Sequence, residues 1–137
     1  WTYDGTAPTI TGVSSTTPNG TYITGQSVSI QVTFSETVNV SGTPQLTLET
    51  GTSDAVVDFA SGSESNTLTF TYTIGAGENS LDLDYVSTSA LSLNSGSIVD
   101  DVGNSATLTL ASPSEANSLG NNKDLVIDTT PPSISAI

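Results

Sequence analysis

Gln26-Ser27-Val28-Ser29-Ile30-Gln31-Val32-Thr33-Phe34 alternates polar and apolar side chains from Ser27 to its end. Successive side chains of a β-strand point to opposite faces, so this period of two predicts a strand with one buried face. Leu68–Ile74 follows the same pattern, with threonines separating its four apolar residues. These two segments are the most secure strands, and they indicate an all-β fold.

Weaker alternation predicts six further strands. They are Ile10–Val13, Gln45–Glu49, Ala55–Ala60, Leu81–Tyr85, Ala106–Ala111 and Leu125–Ile127. Clusters of Gly, Pro, Asn and Ser separate the strands, and no segment has a clear helical period, although Thr88–Leu93 or Pro113–Asn117 could hold one short helical turn. Eight strands suit an Ig-like Greek-key β-sandwich, which has about seven to nine.

The aromatic side chains are mostly explained by core packing. They fall on the inward faces of the predicted strands, at Phe34, Phe59, Phe70, Tyr72 and Tyr85. Few aromatic residues are left over for a ligand-stacking surface.

The charge excludes several kinds of partner. The chain has 14 acidic residues and one basic residue, Lys123, which gives a formal net charge of −13. Nucleic acids and anionic membrane surfaces repel such a protein, so neither is an expected partner. The acidity indicates either solubility in salty surroundings or carboxylates that converge on cations, and both interpretations can hold together.

The chain has few residues that could act in catalysis. The chain has no His and no Cys, and its one basic residue is a lysine, so the usual general bases, nucleophiles and phosphate-binding groups are missing. A pair of carboxylates across a cleft remains conceivable, but no pair stands out in the sequence. We therefore expect that the protein is not an enzyme.

The two ends of the chain repeat each other. Asp4–Val13 and Asp128–Ile137 align without a gap, 124 residues apart, and share the pattern Asp-x-Thr-x-Pro-x-Ile. This offset is the size of one small domain. We expect residues 1–3 to end a preceding domain or linker, residues 4–127 to form one β-sandwich repeat, and residues 128–137 to hold a linker and the first strand of the next repeat.

Oxygen-bearing side chains near predicted turns point to a calcium site. Asp100-Asp101-Val102-Gly103-Asn104 offers two carboxylates and an amide, and Glu36 directly follows the strand that ends at Phe34. Calcium takes about six to eight oxygen ligands, which such loops can supply. We expect Glu36, Asp100 or Asp101, Asn104 and Asp128 to gather at one pole and bind Ca²⁺, with Asp4 serving the other end. The alternative is that all of them are solvated turn residues.

Asp82 and Asp84 are a weaker candidate. They alternate with Leu81, Leu83 and Tyr85, so they should point outward together, where they could form a separate surface site. A solvated strand face is the favoured interpretation.

Four motifs together suggest a family. They are Val32–Glu36, Leu83–Tyr85, Ile98–Asn104 and Asp128–Ile134, and they extend over most of the chain. In this order they resemble the bacterial Ig-like, cadherin-like tandem repeats of large surface adhesins. The resemblance implies Greek-key sandwiches strung end to end, often with calcium at their junctions, that extend a ligand-binding tip away from the cell.

The combined expectation is an extender, or spacer, repeat of a bacterial cell-surface adhesin. It would be extracellular and monomeric, with neighbouring repeats as partners and no direct membrane contact, and other domains would bind any cell-surface or glycan ligand. The alternatives are a carbohydrate- or cell-binding adhesive module, which would need exposed aromatic residues or a calcium ion with open coordination, and an accessory domain of a secreted enzyme.

Overall fold

The computed structural model describes residues 5–131, which form a nearly all-β fold. No helix in this part of the chain is long and apolar enough to cross a membrane. The elements of residues 5–131 are, in chain order, β1 (Ile10–Ser15), β2 (Gly20–Tyr22), β3 (Ser27–Ser41), β4 (Gln45–Leu48), β5 (Ala55–Ser61), β6 (Ser65–Thr73), β7 (Leu91–Ser92), β8 (Ser97–Val99), α1 (Leu119–Asn122) and β9 (Leu125–Ile127).

Strands β3 to β6 form a Greek key. β4, β5 and β6 are consecutive antiparallel neighbours, whereas β3 precedes β4 in the sequence and pairs with β6. β1 adds to this sheet beside β3, β7 adds beside β4, and β8 pairs with the last residues of β3. β2 and β9 form a separate parallel pair. The antiparallel sheet curls into a β-sandwich, which confirms the predicted fold class.

The two strands that decide the fold class lie side by side at its centre. β3 and β6 are antiparallel neighbours whose inward side chains face each other in register, as Val28–Tyr72, Ile30–Phe70 and Val32–Leu68. Each of these six side chains is at most 1% exposed. Burying a large apolar side chain contributes roughly 1.5–3 kcal/mol before the loss of conformational entropy, so this pair contributes substantially to stability.

The aromatic side chains fill the core as predicted. Phe34, Phe70, Tyr72 and Tyr85 are buried, and Phe59 is half-buried and packs against the same cluster. The rings of Phe59 and Phe70 meet edge to face, with their centroids 6.2 Å apart. Such pairs add about 0.5–1.5 kcal/mol beyond the area that they bury.

A bulge in β3 changes the partner of this strand. Ser65 and Thr67 on β6 pair with Val38 and Thr33 on β3, so β3 has extra residues between the two pairs. The extra stretch includes Glu36, and residues 39–41 then pair with β8 instead. Bulges bend a strand and redirect its side chains, which here places Glu36 outside the regular ladder.

Two predicted strands, Leu81–Tyr85 and Ala106–Ala111, are not strands in the structure. Leu81 is 92% exposed, whereas Leu83, Asp84 and Tyr85 are all buried, so the expected alternation fails. The reason is that this segment changes partners along its length: the Leu83 amide donates to β9, and the carbonyl of Asp84 accepts from Glu49, just after β4. A segment shared between two neighbours has no single buried face.

Short elements also escaped the sequence prediction. β2, β7 and β8 have only two or three residues each, too few to show a period. Neither Thr88–Leu93 nor Pro113–Asn117 is helical. The helix follows instead at Leu119, where the buried Ser118 caps it by accepting a hydrogen bond from the Asn121 amide at 3.1 Å.

The chain enters and leaves the described fold at opposite ends. β1 starts at Ile10 beside Phe34, and just before it the Thr9 carbonyl accepts from the Ser35 amide at 2.7 Å; this is the entry end. β9 runs parallel to β2, and after it the Asp128 amide donates to the Tyr22 carbonyl at 3.0 Å; this is the exit end. Tyr22 leads directly into the start of β3, so the exit end lies at the other end of that strand.

Candidate functional site

The entry end holds four of the predicted calcium ligands. β8 runs antiparallel to the end of β3, with Val99 opposite Asn39, so the Asp100–Asn104 turn comes next to the bulge that contains Glu36. Asp101 joins the two elements directly, because its Oδ1 accepts from the Asn39 side chain at 2.9 Å. The topology therefore brings Glu36, Asp100, Asp101 and Asn104 to one end of the domain.

Asp100 organises this turn from within. It is only 2% exposed, and its Oδ1 accepts from the amides of Val102 at 3.1 Å and Asn104 at 2.8 Å. Its Oδ2 accepts from the Asn104 side chain at 2.8 Å. Backbone bonds from Asp100 to Asn104 and from Gly103 to Asp100 close the turn. Local bonding of this kind is the usual reason for an aspartate in a tight turn.

The same bonds set the charge state of Asp100. Burial by itself would raise the pKa of its carboxyl group, but hydrogen bonds from the Asn104 side chain and from the amides of Asn104, Val102 and Gly103 outweigh burial and lower the pKa below its ordinary value of 3.8. Asp100 is therefore ionised at neutral pH. A fixed negative charge lies inside the turn, and Asp101 adds a second, exposed carboxylate beside it.

Asp128 lies at the exit end, away from the other candidates. Its amide donates to Tyr22, and its Oδ1 accepts from the Thr130 amide at 3.1 Å. Asn79 anchors the same segment, since its Oδ1 accepts from the amide of Thr129 at 2.9 Å and from its hydroxyl at 3.2 Å. Asn79 was not among the predicted site residues, and nothing in the Glu78-Asn79-Ser80 sequence distinguishes it from other turn residues.

The prediction that Asp128 gathers with Glu36, Asp100 or Asp101, and Asn104 at one pole of the domain is therefore wrong. The reason is topological: β9 is parallel to β2 and carries the chain to the exit end, whereas the β8 turn lies at the entry end. Asp4, the remaining predicted ligand, lies outside the described residues.

Within residues 5–131 no three His, Cys, Asp or Glu side chains are grouped so that they could hold a metal ion. The two oxygens of Asp100 already accept three N–H groups. The entry end thus offers side-chain oxygens, and calcium takes about six to eight oxygen ligands in all.

Asp82 and Asp84 do not form the outward pair that the sequence suggested. Asp84 is only 7% exposed, and its carboxylate accepts from the amides of Tyr85 and Ser114, each at 2.9 Å. Asp82 is exposed, and its pKa is raised by partial desolvation and by the charges of Asp124 and Asp84. Asp84 therefore ties a loop to the core, and only Asp82 belongs to the solvated surface.

Two shallow depressions flank Asp128 at the exit end. Leu81 and Val126 line one of them, Ile23 and Pro131 line the other, and Asp128 and Thr130 border both. The segment through which the chain leaves thus runs between two apolar recesses.

The chain was compared with protein-family models, curated proteins and solved structures, and it matched none of them.

Proposed function

We propose that this domain is an extender repeat of a bacterial cell-surface adhesin, a spacer that projects a ligand-binding region away from the cell. The observation that carries the proposal is the placement of the entry and exit ends at opposite poles, together with the head-to-tail sequence repeat. Domains joined in this way string out along a line instead of folding back. Each copy then adds length, which is what a spacer provides.

Within residues 5–131, the scarcity of exposed aromatic side chains favours a spacer over a carbohydrate-binding module. The four aromatic residues at the centre of the core are buried, and Phe59 and Tyr22 are half-buried against the same cluster. Tyr22 also uses its hydroxyl to donate to the Pro18 carbonyl at 2.5 Å. Sugar-binding sites commonly present a free aromatic face, and the described surface offers little of this kind.

Calcium at the junctions would stiffen the string of repeats. In the proposed arrangement, Glu36, Asp101 and Asn104 at the entry end contribute oxygens together with Asp4, and Asp100 contributes its charge. Asp128 aligns with Asp4 in the repeat, so it would serve the entry end of the following copy. Each junction would then have one boundary aspartate and one set of entry-end side chains.

A melting experiment tests the calcium part of the proposal. We expect the thermal midpoint to rise by several degrees when chelator is replaced by millimolar Ca²⁺, because a ligand that binds only the native state stabilises it by about 2.7 kcal/mol at 100 times its Kd. Asp101→Asn should reduce this rise. Asp58→Asn, on the outer face of β5, should leave it intact.

The opposite result would contradict the calcium part of the proposal. Identical melting with calcium and with chelator would remove calcium from the proposal and leave the acidic residues as solvating charges. An equal response to Mg²⁺ at the same ionic strength would indicate general charge screening instead of a specific site.

A further inference from the structure

Three large apolar side chains are the most exposed of their kind in residues 5–131, and all three lie at the ends of the domain. Leu81 is 92% exposed, Val102 is 60% exposed and Ile23 is 57% exposed. A single exposed apolar residue on a surface needs no explanation. Three such residues at the two poles, where successive copies would meet, do need an explanation.

At the exit end, Ile23 and Leu81 lie on either side of the departing chain. Ile23 directly follows Tyr22, which pairs with Ile127 in the β2–β9 ladder. On the opposite side of β9, Ser80 forms a bridge with the same Ile127, and Leu81 comes next in the chain. Each of the two side chains lines one of the depressions that border Asp128.

At the entry end, Val102 is presented on a rigid turn. Its amide is bonded to the Asp100 carboxylate at 3.1 Å, and the amide of Gly103 is bonded to the Asp100 carbonyl at 3.1 Å. The backbone is held in place while the side chain points away from the core, so little conformational entropy would be lost if another surface covered it.

We propose that consecutive repeats dock head to tail through an apolar contact, in which Val102 of one repeat packs against Ile23 and Leu81 of the repeat before it. This inference rests on the proposed extender function, because it takes the entry end of the next copy as the occupant of the exit surface. The chain passes from Pro131 towards that copy between the two depressions, so the linker holds the next copy beside this surface at a high effective concentration.

The contact would also counter a repulsion. Docking brings Asp128 of one copy towards Asp100 and Asp101 of the next, and like charges at close range oppose docking. An apolar contact between the copies favours docking whether or not a cation is present. The apolar contact and the calcium clamp are therefore separable contributions to a stiff junction.

A two-repeat protein with engineered cysteines tests the docking. Ile137 aligns with Val13, so the full chain followed by residues 14–137 of a second copy forms one head-to-tail junction in register with the repeat. The chain has no cysteine, so each introduced pair stands alone. We expect Leu81→Cys or Ile23→Cys in the first copy to form a disulfide with Val102→Cys in the second under mild oxidation. All three positions are exposed, so folding should be preserved.

The matched control is Val56→Cys in the first copy, combined with Val102→Cys in the second. Val56 is 53% exposed on β5 and borders neither exit-end depression. We expect the junction pairs to cross-link at least tenfold faster than this control pair, within one molecule and independently of protein concentration. Equal rates, or cross-links between molecules only, would overturn the docking.

Repeating the reaction with calcium and with chelator separates this inference from the proposed function. Fast junction cross-linking in both conditions supports the apolar contact even if calcium plays no part. The two-repeat protein could instead cross-link slowly and yet be extended and stiff by small-angle X-ray scattering. That result overturns the apolar contact but not the extender function. A folded-back two-repeat protein, in which the chain reverses at the junction, contradicts both.

Discussion

At the scale of single residues, the buried Asp84 carboxylate restricts which side chains can lie beside it. Its Oδ2 accepts from Ser114, and Gly120 of α1 packs directly over the same carboxylate. A Cβ atom on Gly120 would come within 2.6 Å of that oxygen and 3.2 Å of the Asp84 Cβ. Glycine is required here for space, since its backbone does not adopt a left-handed conformation.

Gly120→Ala should therefore destabilise the protein even though alanine is the better helix former. The helix preference would add roughly 1 kcal/mol of stability, whereas forcing a methyl group against an anchored carboxylate costs about 1–3 kcal/mol. We expect a net loss of up to about 2 kcal/mol in the free energy of unfolding, measured by urea denaturation. Gly12→Ala is the control, because its Cβ would have no neighbour closer than 3.7 Å. A stabilised Gly120→Ala variant would contradict this packing.

At the scale of elements, the β3–β6 pair dominates the fold. Its inward positions are at most 1% exposed from Val28 to Val32 on β3 and from Leu68 to Tyr72 on β6. Its outward positions are mainly Ser and Thr, which suit a half-solvated strand without adding charge. Most of the stability that each of these strands contributes therefore comes from its inward face.

Two substitutions on β6 should reveal this asymmetry. Leu68→Ala removes a fully buried side chain and should lower the free energy of unfolding by about 2–5 kcal/mol. Thr71→Ala, on the exposed face of the same strand, should cost less than about 1 kcal/mol. Urea denaturation of both variants measures the difference, and comparable losses would show that the two faces are not distinct in energy.

At the scale of the whole molecule, the decisive property is the separation of the entry and exit ends. Two copies joined through residues 128–131 should form an elongated particle, because each copy begins where the previous one ends. The longest strand, β3, has 15 residues and rises about 3.3 Å per residue, so a copy aligned along it should add at most about 50 Å of length. Small-angle X-ray scattering of the one-repeat and two-repeat proteins measures this increment.

The competing geometry gives a different result. If the chain reversed at the junction, the maximum dimension would grow by much less than one repeat, and the cross-section would widen instead. Such a profile would contradict the extender function at the scale where it acts. A profile that lengthens only in calcium would assign the stiffness to the cation and not to direct contact between copies.

Much of the fold could be predicted because β-strands with one buried face leave a period of two in the sequence. Val28 to Phe34 and Leu68 to Ile74 show this period, and both segments are core strands. The prediction failed at Leu81–Tyr85, where an apparent alternation belongs to a segment that crosses between two neighbours. A local pattern cannot reveal that the partner changes part way along.

For the candidate site, too, some features followed from the sequence and others only from the tertiary structure. By itself, the sequence determined the two central strands, the aromatic core, the acidity and the turn of Asp100–Asn104, since these follow from neighbouring residues along the chain. Only the tertiary structure decided that Asp128 lies opposite the other candidates, that Asp84 is buried, and that Ile23 and Leu81 flank the exit. Those facts depend on which strands pair and in which direction, and pairing between distant segments is set by the packing of the whole core.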